Sequence, residues 1–200
     1  MIETVALREV AVIRTGVLPP KPIAGDEAEV SLVPVAQILD GRLEPKGYEA
    51  TITAATWVGE GPGTSARLRP LDVLVSLRMQ NFAVDVDEAA LGSDVVYATA
   101  DSAVVRFEGG GLRPGYLVAF LSQSHVQATL EHYRRPSGAP RLPVHKLADL
   151  EVPVPSADQQ LALAGLVQAA REERRLMQEI QARQQVLREA QLRSAFGTLR

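Results

Sequence analysis

Hydrophobic and polar positions are arranged along this chain in two different ways, and the change falls near Pro155. Upstream, short runs rich in Val, Ile and Thr are bounded by Gly, Pro or Asp, the pattern of short strands separated by turns. Such runs predict strands at Glu9–Arg14, Ala50–Thr56, Asp72–Leu77, Val95–Ala98 and Ala103–Phe107. Leu117, Phe120, Leu121, His125 and Ala128 recur instead at helical spacing, with Pro114 and Gly115 just before them, and predict a helix over Leu117–His132.

Downstream, Asp158 to Ser194 holds no proline and a single glycine, Gly165, and is rich in Ala, Leu, Gln, Glu and Arg. These are strong helix formers, so the stretch predicts one long helix. Pro155 forbids helix just upstream, Ser156 or Asp158 can cap the first free N–H groups, and Gly197 marks the end. Leu163, Leu166, Val167, Ala170, Leu176, Met177, Ile180, Leu187 and Ala190 follow one another in steps that draw an apolar stripe, interrupted by Glu173 and Gln184. A helix of this length reaches roughly 55 Å, more than a domain of about 150 residues covers. Part of the stripe is therefore expected to meet another helix, from a second copy or a partner, as in a coiled coil. The expected contact residues are Leu166, Ala170, Met177, Ile180, Gln184 and Leu187, the polar positions fixing register or orientation. The architecture read from this pattern is α+β: a globular body over 1–157, then a long helix over 158–200.

Composition narrows the function. With 46% hydrophobic and 22% charged residues the chain is a folded protein, and the lack of cysteine excludes disulfides, thiolate metal sites and a cysteine nucleophile. No window approaches 18 uncharged apolar residues, and the first residues carry Glu3 where a signal peptide carries a basic start. The chain is expected to be cytoplasmic and not membrane-spanning. A net charge of −3 argues against coating nucleic acid through bulk positive charge but leaves room for a local patch.

Catalytic and metal chemistry find no support. His125, His132 and His145 are too widely spaced to share one ion. Asp40, Glu44 and Lys46 resemble a nuclease set only superficially, since Gly41 and Pro45 make that segment a turn. The run Gly59-Glu60-Gly61-Pro62-Gly63-Thr64-Ser65 lacks the Gly-Lys-Ser/Thr ending of a phosphate loop, and no serine sits in a Gly-x-Ser-x-Gly elbow. Asn81-Phe82 lacks the two prolines of an adenine-methyltransferase motif. No cofactor is expected, and the reading is that of a binding protein.

Several segments then fall in a telling order. Val5 to Gly16 is similar to an "L-x-E-V-A-x-I-x-x-G" opening, and Val33 to Gly41 to the segment that follows it. Leu71-Asp72-Val73-Leu74-Val75-Ser76-Leu77-Arg78 is similar to "G-D-I-L-x-S-x-R-G", and Leu112 to Leu121 to "x-x-P-x-Y-L-x-x-x-L". Leu147 to Gln160 is similar to "L-x-x-L-x-I-P-x-P-x-x-x-E-Q" leading into a long helix. In this order they resemble the DNA-specificity (S) subunits of type I restriction–modification systems, over nearly the whole chain. Leu71 and Met79 stand where that family has glycine, and Asp158 precedes Gln159 where glutamate is usual. Family members carry two recognition domains and two long helices, so this chain resembles half of one.

The resemblance implies a non-catalytic, sequence-specific DNA-recognition subunit. Its implied partners are double-stranded DNA, a DNA methyltransferase (modification) subunit and a restriction/translocase subunit. Two copies pairing their helices antiparallel about a two-fold axis would read a bipartite, interrupted palindrome. The implied DNA-contact segment holds Tyr133, Arg134, Arg135, Ser137, Gly138, Arg141, His145 and Lys146, with no acid between Tyr133 and Lys146. A second candidate is Arg78 with Gln80 and Asn81, since arginine pairs with guanine, and glutamine or asparagine with adenine. The alternative class is a protein-interaction adaptor, or a regulatory half-subunit that binds methyltransferase subunits without reading DNA.

Overall fold

The computed structural model describes residues 2–17, 29–33, 38–39, 42–43, 51–53, 67–78, 83–86, 88–91, 96–109, 111–134 and 140–197. Asp40, Glu44, Lys46, residues 59–65, Gln80, Asn81, Phe82, Arg135, Ser137 and Gly138 lie outside them. The chain divides into two compact units, Met1–Ala164 and Gly165–Arg200.

The first unit is built around an antiparallel sheet of four strands, β2 (Ala11–Thr15), β10 (Ser102–Phe107), β7 (Val73–Ser76) and β8 (Ala83–Asp85), in the order β2-β10-β7-β8. Every residue of β7 is buried, which a strand covered on both faces requires. Alternation along it sends Val73 and Val75 to one side and Leu74 to the other. The first side packs against three helices, α3 (Pro114–Leu121), α4 (Ser124–His132) and α5 (Val144–Ala148), through Leu117, Leu121, Val126, Leu130 and Leu147. On the other side Leu74, Val84 and Val104 form a second core with Leu68, Leu91 and Val96. Val96 belongs to β9 (Val96–Ala98), which pairs parallel with β3 (Glu29–Val33), itself paired with β6 (Thr51–Thr53). A short hairpin, β4 (Ile38–Leu39) with β5 (Arg42–Leu43), and two helical turns, α1 (Leu7–Val10) and α2 (Glu88–Leu91), complete the body. Its first and last strands, β1 (Glu3–Ala6) and β11 (Glu151–Val154), pair antiparallel.

Two expectations need correction. Glu9–Arg14 is not strand throughout: Leu7–Val10 makes a helical turn that buries Leu7 completely, and the strand starts at Ala11. Leu117–His132 is two helices. The Ser122 hydroxyl and the Gln123 amide both donate to the carbonyl of Ala119, and Gln123 adopts an extended backbone, so the first helix ends there.

The motif positions turn out to hold this scaffold together. Gly16 runs so close to the turn after β9 that a Cβ there would lie 2.1 Å from the Thr99 oxygen and 2.3 Å from that of Ala98. Arg69-Pro70-Leu71-Asp72 is a turn closed by the Asp72 N–H on the Arg69 carbonyl at 3.1 Å, with Leu71 at φ +71°. That conformation, after a proline, is the type II position that favours glycine. Next to it the buried Asp72 carboxylate receives both Nε (2.8 Å) and Nη2 (2.6 Å) of Arg106 and the Arg69 N–H (2.8 Å). Tyr116, buried, donates its hydroxyl to the Pro153 carbonyl at 2.9 Å, and burial raises its pKa, keeping the donor neutral.

The long helix α6 spans Ala157–Gly197, and its first turns belong to the body. Ser156 and Gln159 cap it reciprocally: the Gln159 N–H donates to Ser156 Oγ at 3.3 Å, and the Ser156 N–H donates to Gln159 Oε1 at 3.1 Å. One residue on, Gln160 is 2% exposed and fully used: its amide nitrogen donates to the carbonyls of Gly111 (2.6 Å) and Pro155 (3.0 Å), and its oxygen accepts the Arg113 N–H (2.9 Å). In the second unit the helix carries Arg175 bound bidentately to Glu172 and by a single bond to Glu179, while Leu166, Met177, Ile180 and Leu187 are exposed. No described helix is long and apolar enough to cross a membrane.

Two stability measurements follow from these contacts. Leu71→Gly relieves the left-handed strain at an exposed site and is expected to raise unfolding free energy by about 1 kcal/mol in denaturant titration. Gln160→Leu takes the side-chain partner from three backbone groups, the Pro155 carbonyl among them buried, and is expected to lower it by about 2 kcal/mol in the same assay.

Candidate nucleic-acid interface

One end of the four-stranded sheet gathers the two basic segments that the sequence keeps 56 residues apart, through the bond of Arg134 Nη1 to the Arg78 carbonyl. Arg78 follows β7, and the turn before β10 brings Ala100 and Asp101 beside it. The Leu77 N–H donates to the Asp101 carbonyl at 2.8 Å, and the Leu142 N–H donates to the Leu77 carbonyl at 2.7 Å. That second bond seats Arg141 at the same edge, where its Nη2 donates to the Ala100 carbonyl at 2.7 Å.

The three arginines differ in how their charge is used. Arg134 is 8% exposed: beyond its bond to Arg78 it pairs with Glu131 on α4, Nε to Oε2 at 2.9 Å. A residue expected in an open basic loop is thus a brace between α4 and the end of β7, because Tyr133 and Arg134 continue directly from the packed helix. Arg78 is open to solvent, and its Nε donates to Asp101 Oδ1 at 2.5 Å. Arg141 is exposed and carries no acidic partner among the described residues.

The remaining expected residues form a second group. Lys146 on α5 places its Nζ 4.9 Å from the centre of the Tyr133 ring, a cation–π contact. His132 meets Tyr133 edge-on at 5.9 Å, and His145 is exposed on α5. Asp101 and Glu131 were not singled out by the sequence, whereas Ser76, whose hydroxyl accepts the Arg78 N–H at 3.2 Å, is a letter of the motif that ends at Arg78. Asp101 lies 23 residues from Arg78, so no local spacing announces the pair.

Comparison with solved structures identifies the fold. A chain from a structure of complex assembly and conformational transition of the type I restriction–modification system superposes with a TM-score of 0.59 at 16% identity, covering 90% of this chain and 41% of that one. The HsdS subunit from Thermoanaerobacter tengcongensis superposes with a TM-score of 0.54 at 17% identity, covering 86% and 37%. This chain therefore has the fold that the motif resemblance implies, and spans about two-fifths of the solved chains it matches. No protein-family model and no curated protein matches the sequence.

The unequal use of the arginines is measurable. Arg134→Met is expected to cost about 2 kcal/mol, the loss of charge-assisted bonds from a buried group. Arg141→Ala should stay within about 0.5 kcal/mol of the parent, as exposed substitutions do, when both are compared by thermal melting.

Proposed function

We propose that this chain is a DNA-recognition subunit of a type I restriction–modification complex, reading double-stranded DNA with its α+β body and pairing with a second copy through its long helix. The observation that carries the reading is the specificity-subunit fold with arginines from distant segments gathered at one sheet end. In this reading the chain performs no chemistry. It sets a methyltransferase subunit over an adenine, which that partner flips out of the duplex, and a restriction/translocase subunit joins the same assembly.

The pairing surface is the helix seam. Leu166, Ala170, Glu173, Met177, Ile180, Gln184 and Leu187 follow in alternating steps of four and three, a heptad seam. Arg175 pairs with both Glu172 and Glu179 on the helix. Met177 and Ile180 are 56% and 55% exposed. Parallel pairing in register would face each Glu173 with its own copy, a like-charge contact within the seam. Antiparallel pairing about a two-fold axis near Met177 sets Leu166 opposite Leu187 and Glu173 opposite Ile180. That arrangement is the one supported, and its symmetry calls for an interrupted palindrome in the DNA.

The test is solution mass together with DNA binding. The chain is expected to run at twice 21.6 kDa, and Ile180→Asp with Leu187→Asp to run at the single mass with an unchanged melting transition of the α+β body. DNA affinity should fall linearly with the logarithm of salt concentration. A monomer with no affinity for DNA at low salt, alone or with a methyltransferase subunit, would overturn the reading.

A further inference from the structure

We propose that Arg78 and Asp101 act as one guanine-reading unit, in which Asp101 positions the Arg78 guanidinium so that its Nη edge meets O6 and N7 of a guanine in the major groove. The proposal rests on the DNA-recognition reading above and assigns the specificity-determining contact within it.

Arg78 is a solvent-exposed arginine held at three points. Its N–H is fixed by the Ser76 hydroxyl, its carbonyl by the buried Arg134, and its Nε by Asp101 at 2.5 Å. Exposed ion pairs contribute little to stability, so folding alone gives little reason for a fixed backbone at Arg78 to be joined to an acid on its side chain. The anchoring matters for binding, because an arginine fixed beforehand loses less freedom when it docks. Nε is occupied by Asp101, while among the described residues nothing takes up the two Nη groups. These two form a planar fork of donors, the geometry that matches the two acceptors of guanine.

The acid decides between the two things an arginine can do on DNA. A phosphate contact draws on net positive charge, which Asp101 cancels while adding a carboxylate that repels the backbone. A base contact needs a fixed plane and fixed donors, which Asp101 supplies. Arg141, at the same edge and bonded among the described residues to the Ala100 carbonyl alone, keeps its charge and suits phosphate. The pair thus contributes selectivity more than affinity.

The experiment uses the full chain. Its preferred duplex is selected from a randomised pool, and each base pair is then replaced singly in competition binding. At one guanine, wild type should discriminate by roughly 5- to 150-fold. Arg78→Ala should lose that discrimination while binding to unrelated DNA and the salt slope stay as they were. Replacing the same guanine by 7-deazaguanine should weaken wild type and leave Arg78→Ala unaffected. Asp101→Ala should lose the discrimination with equal or tighter binding to unrelated DNA, and Asp101→Asn, which keeps the acceptor oxygen, should restore it. Unchanged melting of all three variants excludes misfolding. Uniform weakening on every sequence with a salt slope reduced by about one would make Arg78 a phosphate contact and overturn the proposal. So would binding with no selected sequence. A chain that binds no DNA at low salt, with or without a methyltransferase subunit, would instead remove the recognition reading on which the proposal stands.

Discussion

A buried amide with both donors and its oxygen engaged governs this structure. Gln160 sits one residue past a reciprocal cap, and its two donors and its acceptor are spent on backbone groups of the loop before α3 and of the segment entering α6. The amide is held too far inside to exchange these partners for water, so the start of the long helix cannot shift without stranding several polar groups at once. Tyr116 acts on the same joint, reaching from α3 to the Pro153 carbonyl two residues before Pro155. The first turn of α6 is therefore held to the body by hydrogen bonds of fixed geometry, more specific than apolar packing alone.

The central sheet is covered on both faces, which leaves its two ends as the places where polar chemistry can gather. At one end the Asp72–Arg106 pair and the Arg69–Asp72 turn close the structure inward. At the other, internal bonds hold backbone groups and leave guanidinium donors outward. This division explains how a body whose overall charge is negative can present arginine at one rim.

How much of this the sequence discloses depends on how local each signal is. The long helix and the strands expected at Asp72–Leu77 and Ala103–Phe107 are legible because composition and spacing specify them to within a residue or so, while the choice of Ser156 over Asp158 as cap is made by the structure. The break at Ser122 is not legible, since helical spacing continues through it and only side-chain competition for the Ala119 carbonyl ends the helix. The motif letters were legible as a resemblance, yet their work is architectural: Gly16 permits a close approach, Tyr116 and Gln160 tie elements together, and Leu71 occupies a backbone conformation made for glycine. The basic segment was legible as charge but not as geometry. Whether Arg134 points out or in depends on α4 and the end of β7, which no reading of residues 133–146 contains.

The pairing of β1 with β11 bears on how the body is made. Glu3 lies opposite Val154, and the Leu7 N–H is bonded to the Leu150 carbonyl. At a synthesis rate of about 5–20 residues per second, the strand at Glu3–Ala6 waits roughly 7–30 s for its partner to be synthesised. The α+β body therefore cannot complete its fold from the N-terminal side before β11 is made. The pairing of β1 with β11 is its late step, made after the four-stranded sheet and the helices on it have been synthesised.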